Sequence, residues 1–310
     1  MQQNFVTVFA PASVGNAAVG FDLLGHALAA PGDRVTVSRC EHPGVRIGSI
    51  TGSGDQIPLQ AEKNTASMAV RALMAAVGAT TGLELHIVKG IPLASGLGGS
   101  AASAVAAIVA AADLLELDWP GERLYPFALA GEAVASGAVH GDNVGCQLLG
   151  GLVLATRDRL VPIPVPEGLF AVAVHPDYQV NTRDARRCLA EPFDLATVVE
   201  QSACLAQVLA GCYQSDLTLI RDGLRDVMIE PRRSGLIPGF TAVQQAALAH
   251  GALGASISGA GPTVFGWFAD RQSADSAGAG MVKAFETAGL AADAFVSPVA
   301  APGARVVERG

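Results

Sequence analysis

Residues 89–104, KGIPLASGLGGSAASA, join a glycine-rich turn to the start of an alanine-rich helix. Because glycine has no Cβ, the backbone at Gly96, Gly98 and Gly99 can adopt positive φ and bring its N–H groups close to an anion. A helix beginning near Ser100 would direct its unpaired N–H groups and the positive end of its dipole at the same point. One helix terminus contributes only about 0.3–1 kcal/mol, so binding a triphosphate also needs loop amides and a cation. The segment predicts a phosphate site with partners elsewhere in the chain.

The same loop is open to other interpretations. A tight turn without a ligand accounts for any single glycine cluster. Gly96-x-Gly98-x-x-Ala101 matches the dinucleotide-binding pattern, but residues 89–95 separate it from the preceding strand pattern and no second strand ending in an acid follows. A P-loop requires Gly-Lys-Ser/Thr after its second glycine, and the sequence lacks that triplet.

The composition favours a small-molecule ligand. Half of the 310 residues are hydrophobic and only 15% are charged, which allows a sizeable core and two domains. The net charge of −8 provides no basic field for nucleic acid or anionic lipid. The N-terminus has no signal-peptide pattern, and the apolar segment 101–112 is shorter than a membrane span. We therefore predict a soluble, cytoplasmic protein without nucleic-acid or membrane partners. The odd number of cysteines and the lack of C-x-x-C predict buried, reduced thiols: Cys40, Cys146, Cys188, Cys204 and Cys212.

The elements that must position the loop form an α+β pattern rather than a strict βαβ alternation. Pro162, Pro164, Pro166 and Gly168 interrupt regular structure, so we predict two domains, 1–160 and 161–310. Strands are predicted at 4–9, 34–39, 45–50, 82–88, 150–156, 169–175, 253–258, 263–268 and 292–299. Helices are predicted at 64–77, 100–117, 120–136, 184–189, 194–213, 240–250 and through the 270s and 280s.

Several segments resemble motifs of the GHMP kinases. PLASGLGGSAAS at 92–103 resembles their second motif, PASVGNAAVGFDLLGHAL at 11–28 the first in its homoserine kinase form, and GASISGAGPTVFGW at 254–267 the third. HGDNVGCQLLGG at 140–151, NTRDARRCL at 181–189 and EPRRSGLIPGF at 230–240 also resemble homoserine kinases. The sequence departs from the family at Gly141 and Cys146, where prolines are usual, and at Gly99, where a second serine is common.

The resemblance implies a two-domain GHMP kinase fold. Its N-terminal domain would resemble domain 2 of ribosomal protein S5, its C-terminal domain would be ferredoxin-like, and the ligands would lie between them. The implied reaction is ATP-dependent phosphorylation of the hydroxyl of L-homoserine to O-phospho-L-homoserine, a step of threonine biosynthesis that uses Mg²⁺. Another GHMP kinase of mevalonate or sugar type, or a non-catalytic small-molecule binding protein on this fold, is the alternative. Apolar surface on so uncharged a chain favours a homodimer.

The resemblance also implies a role for each site residue. Arg186 and Arg233 would clamp the substrate carboxylate, since a guanidinium can grip a carboxylate through two parallel bonds. Asp22 and Asn16 would hold the ammonium and hydroxyl ends, respectively, with His140 and Asn143 lining the same pocket. Ser100 and Glu132 would bind Mg²⁺, whose preferred ligands are hard oxygens. The nucleotide site would comprise Asn64, Lys89, Pro92, Leu93, Ala94, Ser95, Gly96, Leu97, Gly98, Gly99, Ser100, Ala101 and Ala102.

The expected chemistry centres on Asn143 and Lys89. Lys89 would meet a phosphate, although many lysines before such loops lie at the surface. Asn143 would lie close to the substrate hydroxyl, but an amide cannot remove a proton. We therefore expect the γ-phosphate itself, or water, to accept that proton late in a loose transition state, and Asp142 to be mainly structural. The third motif is expected to be a tight turn that closes the site.

Overall fold

The computed structural model describes residues 3–52, 56–136 and 140–310. The strands are β1 Phe5–Gly15, β2 Leu24–Cys40, β3 Val45–Thr51, β4 Gly82–Val88, β5 Leu152–Ala155, β6 Leu160–Ile163, β7 Phe170–Pro176, β8 Gly254–Ile257, β9 Val264–Phe268, β10 Ala292–Pro298 and β11 Arg305–Arg309. The helices are α1 Thr65–Val77, α2 Gly99–Leu114, α3 Gly121–Ser136, α4 Asp142–Leu149, α5 Thr182–Arg187, α6 Leu195–Gln214, α7 Leu217–Gly223, α8 Glu230–Arg233, α9 Phe240–Ala249 and α10 Arg271–Thr287. Short 3₁₀ turns cover Ala61–Lys63 and Ser234–Leu236.

The larger sheet carries most of the N-terminal half. Its strand order is β11-β1-β2-β4-β3, with β5 paired to β2 and β6 paired to β5. All these pairs are antiparallel except β3 with β4. The last strand of the chain therefore lies beside the first strand, and β6 and β11 belong to this sheet. The division into 1–160 and 161–310 stays a prediction.

The smaller sheet has the antiparallel order β10-β7-β9-β8. Helices α9 and α10 pack against it, and buried side chains such as Val172, Val174, Met281 and Phe285 form its own core. Trp267 and Phe265 on β9 instead belong to the core of the larger sheet. The two halves thus share one continuous apolar contact.

Helix α2 lies against β1 and β2 on one side and against α1 and α3 on another. Its side chains are buried almost all round, from Ala101 to Leu114. Alanine suits this place because it favours the helix and loses no side-chain entropy on burial. The helix ends three residues earlier than predicted, since Glu116 adopts a left-handed conformation with φ 58°. Packing along the whole helix therefore fixes the position of its N-terminus.

Strands β1 and β2 are much longer than the predicted 4–9 and 34–39. Pro11 and Pro31, with Gly32, are residues that normally interrupt strands. The β1–β2 ladder shifts register between Pro11 and Ser13, which lets the two strands continue beyond the prolines. This extension carries the chain directly to the first predicted substrate residue, Asn16.

The structure bears on the expectations for the cysteines and for a membrane partner. All five cysteines are unpaired, but Cys40 and Cys188 are partly exposed, so only three are the predicted buried thiols. Helix α6 is long and apolar enough, by length and composition, to cross a membrane, and 28% of that stretch is buried. One such helix is weak evidence of a span, and the absence of a membrane partner stays a prediction.

Candidate active site

A cleft of about 1130 Å³ lies between the glycine-rich loop and the third-motif turn. Residues from both halves of the chain line it. The predicted site residues on its wall are Asn16, Asp22, Asn64, Lys89, Pro92, Leu93, Ala94, Ser95, Gly96, Gly98, Gly99, Ser100, Glu132, His140, Asn143, Arg186 and Arg233. The side chains of Leu97, Ala101 and Ala102 are buried in the core and do not line the cleft, so a contact of these residues with the nucleotide would be through backbone, and their place in the nucleotide site stays a prediction.

The loop needs glycine at two of its positions. Gly96 and Gly98 have φ of 79° and 69°, the left-handed region that disfavours other residues. A Cβ at Gly98 would also lie 2.8 Å from Oδ1 of Asn143, and one at Gly96 would lie 2.9 Å from the carbonyl oxygen of Gly261. Gly98 is the N-cap of α2, so the loop leads directly into the helix. Backbone therefore approaches the cleft where side chains would obstruct it.

Six consecutive carbonyl groups, from Ser95 to Ser100, accept hydrogen bonds from groups outside the loop. We call them the carbonyl set. These bonds fix the orientation of the loop peptides. The Leu97 amide donates to Ser95 Oγ at 3.2 Å, whereas the first N–H groups of α2 have no partner within the helix and can meet a ligand. The donors, in order, are Thr263 Oγ1 (2.7 Å), Ser258 Oγ (2.8 Å), Ser13 N (3.1 Å), Gln147 Nε2 (3.0 Å), Lys89 Nζ (2.6 Å) and Thr65 Oγ1 (3.2 Å).

Lys89 lies behind this loop rather than open to the cleft. Only 2% of its side chain is exposed. Its ammonium forms an ion pair with the carboxylate of Asp33 and donates to the Gly99 carbonyl at 2.6 Å and to Ser103 Oγ at 2.9 Å. The surface-lysine interpretation is therefore wrong. The ammonium is already paired with an internal acid.

Ser100 and Glu132 meet on the wall of the cleft. The Ser100 hydroxyl donates to Glu132 Oε1 at 2.9 Å, joining the first turn of α2 to α3. Burial raises the pKa of Glu132 to about 7, and the Ser100 hydrogen bond partly offsets this. A hydroxyl and a buried carboxylate side by side form an oxygen donor pair that fits a hard cation, which would also relieve the cost of burying the charge. In residues 3–52, 56–136 and 140–310, no group of three or more His, Cys, Asp or Glu side chains could hold a metal.

Asn143 is oriented by its neighbours at the start of α4. Its Oδ1 accepts from the Ser13 hydroxyl at 2.8 Å, and its amide nitrogen donates to Asp142 Oδ1 at 3.3 Å. Gln147 donates to Ser13 at 3.0 Å, so one side chain supports both the phosphate loop and Asn143. Asp142 is 2% exposed and also accepts from the Asn16 N–H at 3.0 Å. Burial, assisted by the charge of Asp22, raises the pKa of Asp142 to about 6.

Asp22, His140 and Arg186 form a cluster on the wall of the cleft. Arg186 donates to both carboxylate oxygens of Asp22, at 2.9 and 3.0 Å, and approaches His140 Nε2 at 2.8 Å. His140 Nδ1 lies 3.1 Å from Asp22. Burial raises the pKa of Asp22, but hydrogen bonds and charges from His140 and Arg186 outweigh it, so the net pKa is lowered. Asp22 thus occupies the guanidinium fork in the protein without ligand.

Arg233 is buried, with 3% exposure. It donates to the carbonyls of Ala185 and Gly259 at 3.1 and 3.0 Å, and no carboxylate within the described residues pairs with it. Its guanidinium and that of Arg186 lie 5.2 and 5.1 Å from the ring of Phe21. Burial and the charge of Arg186 both lower the pKa of Arg233. An anion bound between the two arginines would remove this repulsion.

Asn16 and Asn64 both serve local structure. The Asn16 side chain accepts from the Asp22 N–H and donates to the Gly259 carbonyl, each at 3.0 Å. Both ends of its amide are thus bonded to backbone, and it joins the first motif to the third. Asn64 is the N-cap of α1, accepting from the amides of Ala66 and Ser67. Its place in the nucleotide site stays a prediction.

Sequence reasoning missed the residues that hold the loop from behind. Ser258 and Thr263 were within a recognised motif, whose glycine-rich turn gave the only signal. Ser13 was likewise within the first motif. Gln147 and Ser103 were also within recognised segments, 140–151 and 92–103. Asp33 carried no signal, because one polar residue within a strand has no spacing pattern.

Comparisons with known proteins identify the family to which the chain belongs. The family model described as GHMP kinases N terminal domain matches residues 64–151, and that described as GHMP kinases C terminal matches 208–287. The homoserine kinase of Xylella fastidiosa (strain M12) is 56% identical over 96% of this chain and 93% of its own length. The homoserine kinase of Chlorobaculum tepidum is 41% identical over 97% and 98% of the two chains.

A solved structure extends the similarity to three dimensions. The crystal structure of homoserine kinase from Cytophaga hutchinsonii superposes with a TM-score of 0.96 and 41% identity, covering 99% of this chain and 98% of that one. The α+β, two-domain GHMP kinase fold is thereby confirmed. The chain belongs to the homoserine kinase family of the GHMP kinases.

Proposed function

We propose that the protein catalyses ATP-dependent phosphorylation of the hydroxyl of L-homoserine. The carbonyl set carries this proposal, because it turns the loop amides and the N-terminus of α2 into an anion site beside two arginines suited to a carboxylate. Relatives named homoserine kinase, at 56% and 41% identity over nearly the whole chain, support the choice of substrate. The reaction forms O-phospho-L-homoserine and is a step in threonine biosynthesis.

The nucleotide phosphates lie against the amides of residues 96–100, with the base toward Asn64. Ser100 and Glu132 would hold Mg²⁺, and the bound ion would neutralise charge on the phosphates. The loop supports a triphosphate through fixed dipoles, which need no reorganisation during the reaction.

The amino acid binds at the cluster of Asp22, Arg186 and Arg233. Arg233 and Arg186 take its carboxylate, while Asp22 takes its ammonium. Binding therefore replaces the Asp22–Arg186 ion pair with an arginine–carboxylate pair and an Asp22–ammonium pair. Asn16, whose amide is bonded to backbone, fixes this loop rather than contacting the substrate hydroxyl, and His140 keeps Asp22 in place.

In the reaction, the substrate hydroxyl oxygen bonds to the γ-phosphorus, and the bond from that phosphorus to the β–γ bridging oxygen breaks. The Asn143 amide orients the substrate hydroxyl. The proton of that hydroxyl passes to a phosphate oxygen or to water, because an amide cannot accept it and the Asp142 carboxylate already accepts hydrogen bonds from Asn16 and Asn143. The protein contributes positioning and charge neutralisation.

A coupled assay of ADP release across candidate alcohols tests the function. We expect turnover with L-homoserine, Mg²⁺ and ATP, and background rates with mevalonate and galactose. Phosphorylation of mevalonate or a sugar but not homoserine would assign the chain to another GHMP kinase activity. If no alcohol is phosphorylated while ligands still bind, a non-catalytic binding protein is the better description.

We also propose a cytoplasmic homodimer. Five unpaired cysteines suit a reducing compartment. Helix α6 presents an exposed apolar stripe that includes Leu195, Val199 and Tyr213, and its one charged residue, Glu200, pairs with Arg225. On a chain of net charge −8, this nearly uncharged face lets a second copy approach without repulsion.

Light scattering after size exclusion tests the dimer. We expect Val199→Glu to shift the wild-type dimer to a monomer, because it would bury charge in the contact. Leu248→Glu, at an exposed position on α9, is the matched control and should leave the mass unchanged. A wild-type monomer, or a dimer insensitive to Val199→Glu, would contradict the proposed contact.

A further inference from the structure

Asp33 is a fully buried carboxylate directly behind the phosphate loop. It is 0% exposed and lies on β2. Its Oδ1 accepts from the N–H groups of Gly90 and Ile91 at 3.0 and 3.1 Å, and its Oδ2 accepts from Ser103 Oγ at 2.8 Å and from the Lys89 ammonium. Every hydrogen-bonding direction of the carboxylate is thereby used. A buried charge is tolerated when it is paired and hydrogen-bonded in this way.

Through this carboxylate, three elements become one unit. The backbone after β4 is held by Oδ1, and the first turn of α2 is held by Ser103. Lys89 then reaches from Asp33 to the Gly99 carbonyl, which belongs to the carbonyl set. Because the Gly99 carbonyl and the Ser100 amide are parts of one planar peptide, fixing the oxygen also fixes the direction of the N–H. That N–H lies at the N-terminus of α2.

We propose that Asp33 is a positioning residue for phosphoryl transfer, acting through Lys89 on the Gly99–Ser100 peptide. In this arrangement, Lys89 is a structural cation of the loop, and its ammonium does not contact the nucleotide. The inference rests on the proposed function, since it assigns the nucleotide to this loop. The inference and a direct phosphate role for Lys89 predict opposite changes in nucleotide affinity for one variant.

The variant is Asp33→Asn, and the quantity compared is its nucleotide affinity. If Lys89 were a phosphate ligand, neutralising Asp33 would release its ammonium toward the nucleotide and tighten binding. If the pair positions the loop, the same variant leaves the ammonium without its partner and disturbs the Gly99 carbonyl. Nucleotide affinity then falls, as it does in Lys89→Met. The two variants should also be non-additive, because each breaks the same connection.

The experiment is isothermal titration of the full-length protein with a non-hydrolysable ATP analogue and, separately, with L-homoserine. We expect Asp33→Asn, Lys89→Met and the double variant each to lose roughly tenfold or more in nucleotide affinity, with the double variant no worse than the worse single variant. Homoserine affinity should stay within about twofold of wild type, because none of the groups that Asp33 and Lys89 contact belongs to the proposed homoserine pocket. A purely structural lesion would reduce both affinities.

Ser103→Ala keeps the test decisive should the charge variants fail to fold. It removes the bonds of the Ser103 hydroxyl to Asp33, Lys89 and the Gly99 carbonyl but leaves the ion pair, and we expect a loss of roughly two- to fivefold in nucleotide affinity. Ser297→Ala, another fully buried serine that bridges backbone groups, is the matched control and should have no effect on either ligand.

Unchanged or tighter nucleotide binding by Asp33→Asn, or additive losses in the double variant, would overturn the inference. Failure of the proposed function has a different signature, in which wild-type protein shows no homoserine-dependent ADP release. The nucleotide titrations still decide the role of Asp33 in that case.

Discussion

Gly98 satisfies two constraints that no other residue type meets together. Its backbone is left-handed, and a Cβ added there would lie 2.8 Å from Asn143 Oδ1 and from Gln147 Nε2, which orient the site. Gly98→Ala should lose roughly 1–2 kcal/mol of stability from the backbone. It should also lower kcat/KM for ATP by about a hundredfold, because a displacement of about 1 Å in a reacting group has that effect.

Gly78→Ala provides the control for this prediction. Gly78 ends α1 with φ 67°, and a Cβ there would meet no atom within 4 Å. We expect a similar loss of stability with normal kinetics. Steady-state kinetics and thermal unfolding of both variants make the comparison, and full activity of Gly98→Ala would argue against a close ligand approach.

Asp142 tests where the hydroxyl proton goes. Its pKa of about 6 lies above its ordinary value of 3.8, so its contribution to stability is present below pH 3.8 and lost as the pH rises through 6. At pH 7 the buried charge therefore costs on the order of 3 kcal/mol, and Asp142→Asn should fold at least as stably as wild type. Its amide oxygen can still accept the Asn16 N–H, so we expect kcat within about tenfold of wild type.

Asp22→Asn is the comparison for the same assay. It should chiefly raise KM for homoserine, because Asp22 is the proposed partner of the ammonium group. Near-complete loss of turnover in Asp142→Asn, with folding and substrate binding intact, would instead identify Asp142 as a carboxylate base.

The third-motif turn holds the phosphate loop through two side chains, and Thr263 makes the more buried bond. Thr263→Val removes the hydroxyl that donates to the Ser95 carbonyl at 2.7 Å. One such hydrogen bond contributes about 1 kcal/mol, so we expect KM for ATP to rise roughly fivefold. Thr287→Val removes a similar 2.8 Å bond on α10, far from the cleft, and should leave KM unchanged. Equal kinetics in the two variants would separate the third motif from nucleotide binding.

The sequence allowed the loop and α2 to be predicted because their signals are local. Glycine spacing and an alanine-rich run are properties of neighbouring residues. Helix α2, however, is buried on nearly every side, so it has no polar face to indicate which residues meet a ligand. Ala101 and Ala102 were therefore placed in the nucleotide site although their side chains lie in the core.

Strand limits and hydrogen-bond partners were beyond local signals for different reasons. The prolines in β1 and β2 predicted loops, whereas pairing between the two long strands overrides that preference through a register shift. The Ser258–Gly96 and Thr263–Ser95 bonds join residues 162 and 168 positions apart. A single sequence contains no distance information of that range. The motifs indicated the regions that meet, while the individual contacts required the structure.

The two halves of the molecule meet at a buried pair of rings. Trp267 on β9 donates from Nε1 to His26 Nε2 at 3.1 Å, and His26 Nδ1 bonds the Ala27 carbonyl at 3.0 Å. Since the tryptophan can only donate, His26 must be neutral with its proton on Nδ1. Burial accordingly lowers the pKa of His26 to about 4.

Acid should weaken this junction. The folded pKa of about 4 is below the ordinary 6.5, so the stabilisation is present above pH 6.5 and lost as the pH falls toward 4. Between pH 7 and 4.5 the expected loss is on the order of 2–3 kcal/mol. Denaturant unfolding of wild type and His26→Gln at both pH values measures it. The variant should lose less stability by that amount, and equal losses would show that His26 does not titrate in this way.

The carbonyl set has a consequence for synthesis of the chain. One donor to it, Ser13, is synthesised long before Ser258 and Thr263. A ribosome-bound product that stops before residue 258 contains the glycine loop, but the carbonyls of Ser95 and Gly96 lack these side-chain donors. Strand β11 has not been made either. We expect nucleotide affinity to be acquired only after residues 258–263 have emerged, so premature release would yield a chain that neither binds nor consumes ATP.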